Sequence, residues 1–170
     1  QGIAFKLRPA PGGFVPADYA GVVTARAGLL SMPLLVLIIV AALATYVLNN
    51  TVFGKHLYAV GGNRKVARSM GVNTRKVTIQ AYLWCSILAS ISGLILTGRI
   101  RAGDPVIGVP FGLDSVTAAV IGGTTLAGGR GNVLGSVAGA FIIGMLSNIL
   151  NLVGVSSFYQ YVLKGALLII

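Results

Sequence analysis

The chain has 170 residues, of which 55% are hydrophobic and only 9% charged. Soluble domains carry about 25% charged residues, so this chain cannot coat a water-facing surface, and a membrane protein is expected in place of a soluble globular one. The net charge is +10, from 13 basic residues against Asp18, Asp104 and Asp114. Nucleic acid is set aside as a partner because no aromatic and basic residues interleave outside the loops, and basic loops beside bilayer spans account for the excess.

Residues 1–28 contain Pro9, Pro11 and Pro16, lack helical periodicity and read as an extramembrane loop. The chain opens at Gln1 without an initiator Met and stops inside an apolar run at Ile170, which reads as a piece of a longer protein. Residues 29–48, LLSMPLLVLIIVAALATYVL, carry no charge. At about 1.5 Å per residue they match a bilayer core of about 30 Å. Pro33 falls in the first turns, where a missing N–H costs least.

The stretch 54–76 follows, with Lys55, Arg64, Lys65, Arg68, Arg75 and Lys76 and no acid. Within it Asn63 suits a helix N-cap and Gly71 a left-handed C-terminal residue. Between them Val66 and Met70 share an apolar face with Ala67, while Arg64 and Arg68 share a basic one. So short a helix does not hold alone in water. It leans either on the lipid headgroup layer or in a groove of a cytoplasmic protein. His56 reads as a solvated loop residue, with a proton relay as the sharper reading.

Residues 77–97 form a second uncharged span, with Cys85, the lone cysteine, as a packing residue. The loop 98–114 balances Arg99 and Arg101 against Asp104 and Asp114. The basic 54–76 loop is therefore placed in the cytoplasm and 98–114 outside. Residues 115–127 are apolar but short and contain Gly122 and Gly123; they read as a short or broken helix buried among others. A GGRGN turn leads to a third span at 133–153, and 158–170 begin another that the chain does not finish.

Along 131–144, Gly131, Gly135 and Gly139 recur every four positions, with Ser136, Ala140 and Gly144 on the neighbouring stripe. Such rows let helices approach closely, within one subunit or across a dimer face. Asn148 and Asn151 share a helical face, and Gln80 and Gln160 are similar; a role lining a substrate path and an interhelical hydrogen bond are both open.

No enzyme is expected. One His and one Cys cannot supply a metal centre, and the three acids are too widely spaced for a paired-carboxylate site. Despite 24 glycines, GGRGNVLG lacks the Lys-Ser/Thr of a phosphate loop, so the chain is not expected to bind or hydrolyse ATP. No catalytic residue, metal ligand or cofactor is assigned to it.

The ordered motifs TVFGKHLYAVGGN at 51–63, the Leu113–Asp114 pair before AAVIGGT, and GGRG at 128–131 are similar to the C-terminal half of the membrane permease of bacterial ABC importers for ribose, xylose, galactose and similar sugars. The resemblance runs from about residue 29 onward; residues 1–28 fit loosely as the preceding external loop. It implies a polytopic all-α membrane bundle with a short broken helix and a cytoplasmic coupling helix. It also implies a second permease subunit, two cytoplasmic ATPase subunits that use the ATP, an external sugar-binding protein and a place in the bacterial inner membrane. The family's coupling segment falls on Gly62 to Val72, so Gly62, Asn63, Arg64, Lys65, Val66, Ala67, Arg68, Met70 and Gly71 are the residues expected to meet the ATPase. Asp114, Gly122, Gly123, Asn148 and Asn151 are candidates for the pathway or its packing. One departure stands out: family members often carry an acid followed by Ala-Ala where this chain has Lys65, Val66 and Ala67. The altered charge bears on which ATPase is chosen.

Two alternatives compete. One is half of a secondary transporter or channel that needs no ATPase; the other is a non-transporting membrane scaffold. Secondary transporters usually carry a buried ion-coupling charge, and none sits in 29–48, 77–97 or 133–153. A scaffold has no need of a capped helix in the basic loop.

Overall fold

The structure is a computed structural model, and it describes Lys6, Gly12 and residues 15–24, 26–27, 30–104 and 106–169. The rest of the loop expected at 1–28 lies outside the described residues. The fold is helical, with eight helices among the described elements: α1 (Ala17–Thr24), α2 (Met32–Asn50), α3 (Val52–Gly62), α4 (Arg64–Ser69), α5 (Thr74–Ile100), α6 (Val109–Ile121), α7 (Val133–Leu152) and α8 (Ser157–Ile169). A two-residue antiparallel ladder, β1 (Arg26–Ala27) with β2 (Leu30–Ser31), precedes α2.

Among the described residues, three helices are long and apolar enough to cross a membrane: α2 with 19 residues, α5 with 27 and α7 with 20. No residue of α2 is buried, and it presents Ile38, Ile39 and Leu43 more than half exposed. In water such a surface would be an aggregation hazard; against lipid tails it costs nothing. α5 is longer than a bilayer core needs, but Arg75 and Lys76 stand at its start and Arg99 in its last turn. Charged ends around an apolar middle suit headgroup layers at both sides. α6 has 13 residues, about 20 Å at 1.5 Å each, and is too short to cross alone.

The chain forms two compact units. The first comprises residues 1–40 and 79–109. There α1 lies on α5: Tyr19 donates its hydroxyl to the carbonyl of Leu94 at 3.0 Å, and a Cβ at Gly98 would meet Val23 at 2.7 Å and Tyr19 at 3.0 Å. α1 sits inside a segment expected to be loop. Asp18 in its first turn complements the helix dipole, and Ala20 and Val23, buried one turn apart, give it a face to bury. Gly12 and Gly103 exchange both backbone hydrogen bonds, at 3.1 and 3.2 Å.

The second unit comprises residues 41–78 and 110–170. Here α3 is a helix where the basic loop was expected to start. Its signal is Thr51, whose Oγ1 accepts from Gly54 N at 3.3 Å as N-cap and donates back to the Val47 carbonyl. Gly54 is buried against the backbone of Leu48, and any side chain there would collide with it. The far end of α3 rests on the turn at 128–131. Tyr58 donates to the Gly131 carbonyl at 2.9 Å, and the Gly61 and Gly62 backbone lies against Gly128 and Gly129 closely enough that Gly61, Gly128 and Gly129 leave no room for a Cβ.

Candidate functional site

The basic stretch folds into the helix its ends encode. Asn63 Oδ1 accepts from the backbone N–H of Lys65 at 3.0 Å and of Val66 at 3.1 Å, capping α4. At the other end Gly71 takes a φ of +83°. Its N–H bonds the Arg68 carbonyl and that of Val72 the Ala67 carbonyl, both at 3.1 Å. That is the Schellman arrangement, which uses two of the helix's orphan carbonyls.

The three apolar residues of α4 part company. Ala67 is buried at 2% exposure, whereas Val66 is 52% and Met70 77% exposed. At 100° per residue Val66 and Met70 form a ridge opposite Arg64 and Arg68. The basic side, with Arg64, Lys65, Arg68 and Arg75, lines an open cleft of about 1050 Å³, floored by Asn73, whose Oδ1 accepts from Lys76 N at 3.1 Å. Chemically this is a small knob with a greasy crest and a cationic flank. It suits a partner groove with an apolar floor or an anionic surface. Gly62 ends α3, so all the expected coupling residues fall in one continuous, largely exposed segment.

A second constellation joins α6 and α7. Gly135 lies on the backbone of Gly122, and Gly139 on the Ala118 carbonyl, each too close to admit a Cβ. A Cβ on Gly131 would meet Thr124 at 3.0 Å, and the Thr124 and Ser136 hydroxyls bond at 3.3 Å. Gly123, with φ +86°, turns the chain out of α6, with the Thr124 N–H closing onto the Ala119 carbonyl. The Gly131–Gly135–Gly139 stripe is thus used within the chain, while Gly144 has open space where a Cβ would stand and Ala140 is exposed.

The third is polar and buried. Lys164 Nζ on α8 lies 2.6 Å from Asp114 Oδ1 on α6, with side-chain exposures of 6% and 21%. The approach is that of an ion pair without an in-line hydrogen bond to that oxygen. One turn earlier on α8, buried Gln160 donates through Nε2 to Asn151 Oδ1 at 2.9 Å and to the Val155 carbonyl at 3.1 Å. Asn151 therefore makes an interhelical hydrogen bond, although it is exposed, as Asn148 is. Lys164 went unremarked in the sequence, because a lysine in an apolar run gives no sign of where its partner lies.

Among the described residues no group of three or more His, Cys, Asp or Glu side chains is placed to hold a metal. Cys85, expected as a packing residue, is free and exposed on its span.

These features, apolar crossing helices, a short helix ended at Gly122–Gly123 and a capped basic knob, fit a polytopic membrane permease component. The family model described as the permease component of branched-chain amino acid transport systems matches residues 4–170, and the chain belongs to that family. The chain is 41% identical over 138 residues to the ribose import permease protein RbsC of Escherichia coli (strain K12), covering 81% of this chain and 43% of that protein. It is 40% identical over 139 residues to RbsC of Bacillus subtilis (strain 168), covering 82% and 43%. It is 40% identical over 153 residues to the xylose transport system permease protein XylH of Haemophilus influenzae, covering 90% and 39%. The chain spans less than half the length of these curated relatives. They are transport permeases and not enzymes. No solved structure matches the chain.

Proposed function

We propose that this chain is the C-terminal half of a permease subunit of an ATP-driven importer for a monosaccharide, a pentose or hexose, in the bacterial inner membrane. It forms part of the translocation pathway with a second permease subunit and receives sugar from an external binding protein. Two cytoplasmic ATPase subunits use the ATP; the chain itself performs no catalysis. The basic 54–76 segment lies on the cytoplasmic side and the 98–114 loop outside.

The observation that carries this reading is α4: a helix capped at both ends, with Val66 and Met70 exposed and no partner surface of its own to cover them. A structured apolar crest on the ATPase side is what a lever needs to be gripped. The identity of about 40% with ribose and xylose permeases supports a sugar over the amino acids in the family's description.

The secondary-transporter alternative loses support. Asp114, the one acid within the helices of the second unit, is already matched by Lys164, leaving no free carboxylate there for a coupling cation.

Replacing both Val66 and Met70 with Asp tests the assignment. Uptake of ribose and xylose is expected to stop while the permease still inserts and the ATPases still turn over. Full uptake by that variant contradicts the coupling role; uptake of leucine in preference to either sugar contradicts the substrate class.

A further inference from the structure

The cations around α4 have no counterion within their own unit. Arg64, Lys65 and Arg68 of α4 and Arg75 of α5 line one open cleft of about 1050 Å³, beside Asn73 and Thr74, and no acid is among the residues that line it. The second unit, residues 41–78 and 110–170, contains a single Asp or Glu, Asp114. Lys164 already takes it. Four like charges around one cleft repel each other, and an anion that enters it relieves all four at once.

The place of the cleft along α5 says which anion is at hand. Arg75 is the second residue of α5, and from Val77 to Thr97 that helix carries no charge. At 1.5 Å per residue Arg75 stands about 3 Å before the apolar span begins. That falls inside a bilayer headgroup layer, about 5–7 Å thick on each side, where lipid phosphates lie. Arginine supplies three of the four charges, and its planar fork takes two phosphate oxygens at a time. The exposed crest of Val66 and Met70 is on the opposite side of α4 from Arg64 and Arg68, so a protein that grips the crest leaves this flank free.

We propose that the cleft between α4 and the start of α5 binds the headgroup of an anionic phospholipid, its phosphate held by Arg64, Arg68 and Arg75 with Lys65 adding charge. Basic segments beside a membrane span are drawn to anionic lipid in this way. A zwitterionic lipid carries its own cation into the cleft and is disfavoured. The bound lipid bridges α4 and the first turn of α5, and so steadies the knob while Val66 and Met70 stay exposed. The inference asks only that α5 crosses a bilayer with Arg75 in the headgroup layer; it does not depend on the solute carried.

The test uses the full-length permease without its ATPase, in phosphatidylcholine nanodiscs with and without phosphatidylglycerol as the probe. Native mass spectrometry counts the phosphatidylglycerol that each protein retains. Arg64→Gln with Arg68→Gln is expected to retain it about ten-fold less than wild type. Lys55→Gln with Arg130→Gln removes the same charge outside the cleft and is expected to stay within about two-fold of wild type. Equal retention by wild type and the cleft variant, or equal losses in the two variants, overturns the site. A measurement on wild type alone decides if the cleft variant does not insert. Amide exchange at residues 64–75 is expected to be at least three-fold slower with phosphatidylglycerol than without. Unchanged exchange overturns the proposal, and so does an equal slowing by inorganic phosphate in phosphatidylcholine discs, which would make a free anion the occupant. Lipid retention untouched by Arg64→Gln with Arg68→Gln while capture of the purified ATPase is lost would give the cleft to the ATPase instead.

Discussion

Lys164 Nζ on α8 meets Asp114 Oδ1 on α6 at 2.6 Å, the only ion pair found among the described residues. Each charge would be expensive to leave alone where it sits. Lys164→Met on its own should therefore destabilise the protein by about 3–5 kcal/mol by orphaning Asp114, and adding Asp114→Leu should recover most of that. Thermal unfolding of the three proteins in detergent measures it. A double variant as unstable as the single one would show that the ion pair is not the issue.

The α6–α7 contact is a backbone-to-backbone fit. Gly135→Leu and Gly139→Leu drive a side chain into Gly122 and Ala118, with an expected loss of about 1–3 kcal/mol or more. Gly144→Ala, with nothing within 4 Å, should be neutral or gain up to about 1 kcal/mol of helix propensity. Equal damage at all three positions would mean that Gly144 is also occupied, by another chain.

α4 depends on its two ends. Asn63→Ala removes the acceptor for Lys65 and Val66 N–H and should cost about 1 kcal/mol. Gly71→Ala meets no neighbour and costs only the strain of its left-handed backbone, about 1–2 kcal/mol, so Gly71→Asn should be milder. Faster amide exchange confined to residues 64–72 is the expected signature. Exchange unchanged in Asn63→Ala would show that burial of Ala67 alone holds the helix.

Gln160→Leu removes the hydrogen bond to Asn151 and should cost about 1 kcal/mol, the net worth of one bond, because the exposed Asn151 regains water, whereas Asn148→Leu, also at an exposed position, should leave stability within about 0.5 kcal/mol. Unfolding midpoints of the two variants distinguish the positions.

What could be read in the sequence was local. The uncharged runs, the Asn63 cap and the Gly71 stop each carry their reason within a few residues, and the structure has helices and caps there. α3 escaped because Lys55 and His56 masked a helix whose support, the Gly128–Gly131 turn, comes from far along the chain. α1 escaped because prolines dominate its surroundings, while its burying face needs Leu94 and Gly98 to make sense. The amphipathic reading of α4 put Ala67 with Val66 and Met70, but periodicity cannot say which flank of an apolar arc is covered; only Ala67 is. Nothing in a single sequence links Asp114 to Lys164, because complementary charges on separate helices give no local pattern.

The central claim is that an ATP-driven motor works this permease through the knob at Asn63–Gly71. The most direct measurement is ribose and xylose accumulation in proteoliposomes holding the full-length permease, its ATPase and its binding protein, with and without ATP. The account predicts uptake that requires ATP and vanishes in Val66→Asp with Met70→Asp while hydrolysis persists; uptake at the same rate without nucleotide, or without the ATPase, would contradict it.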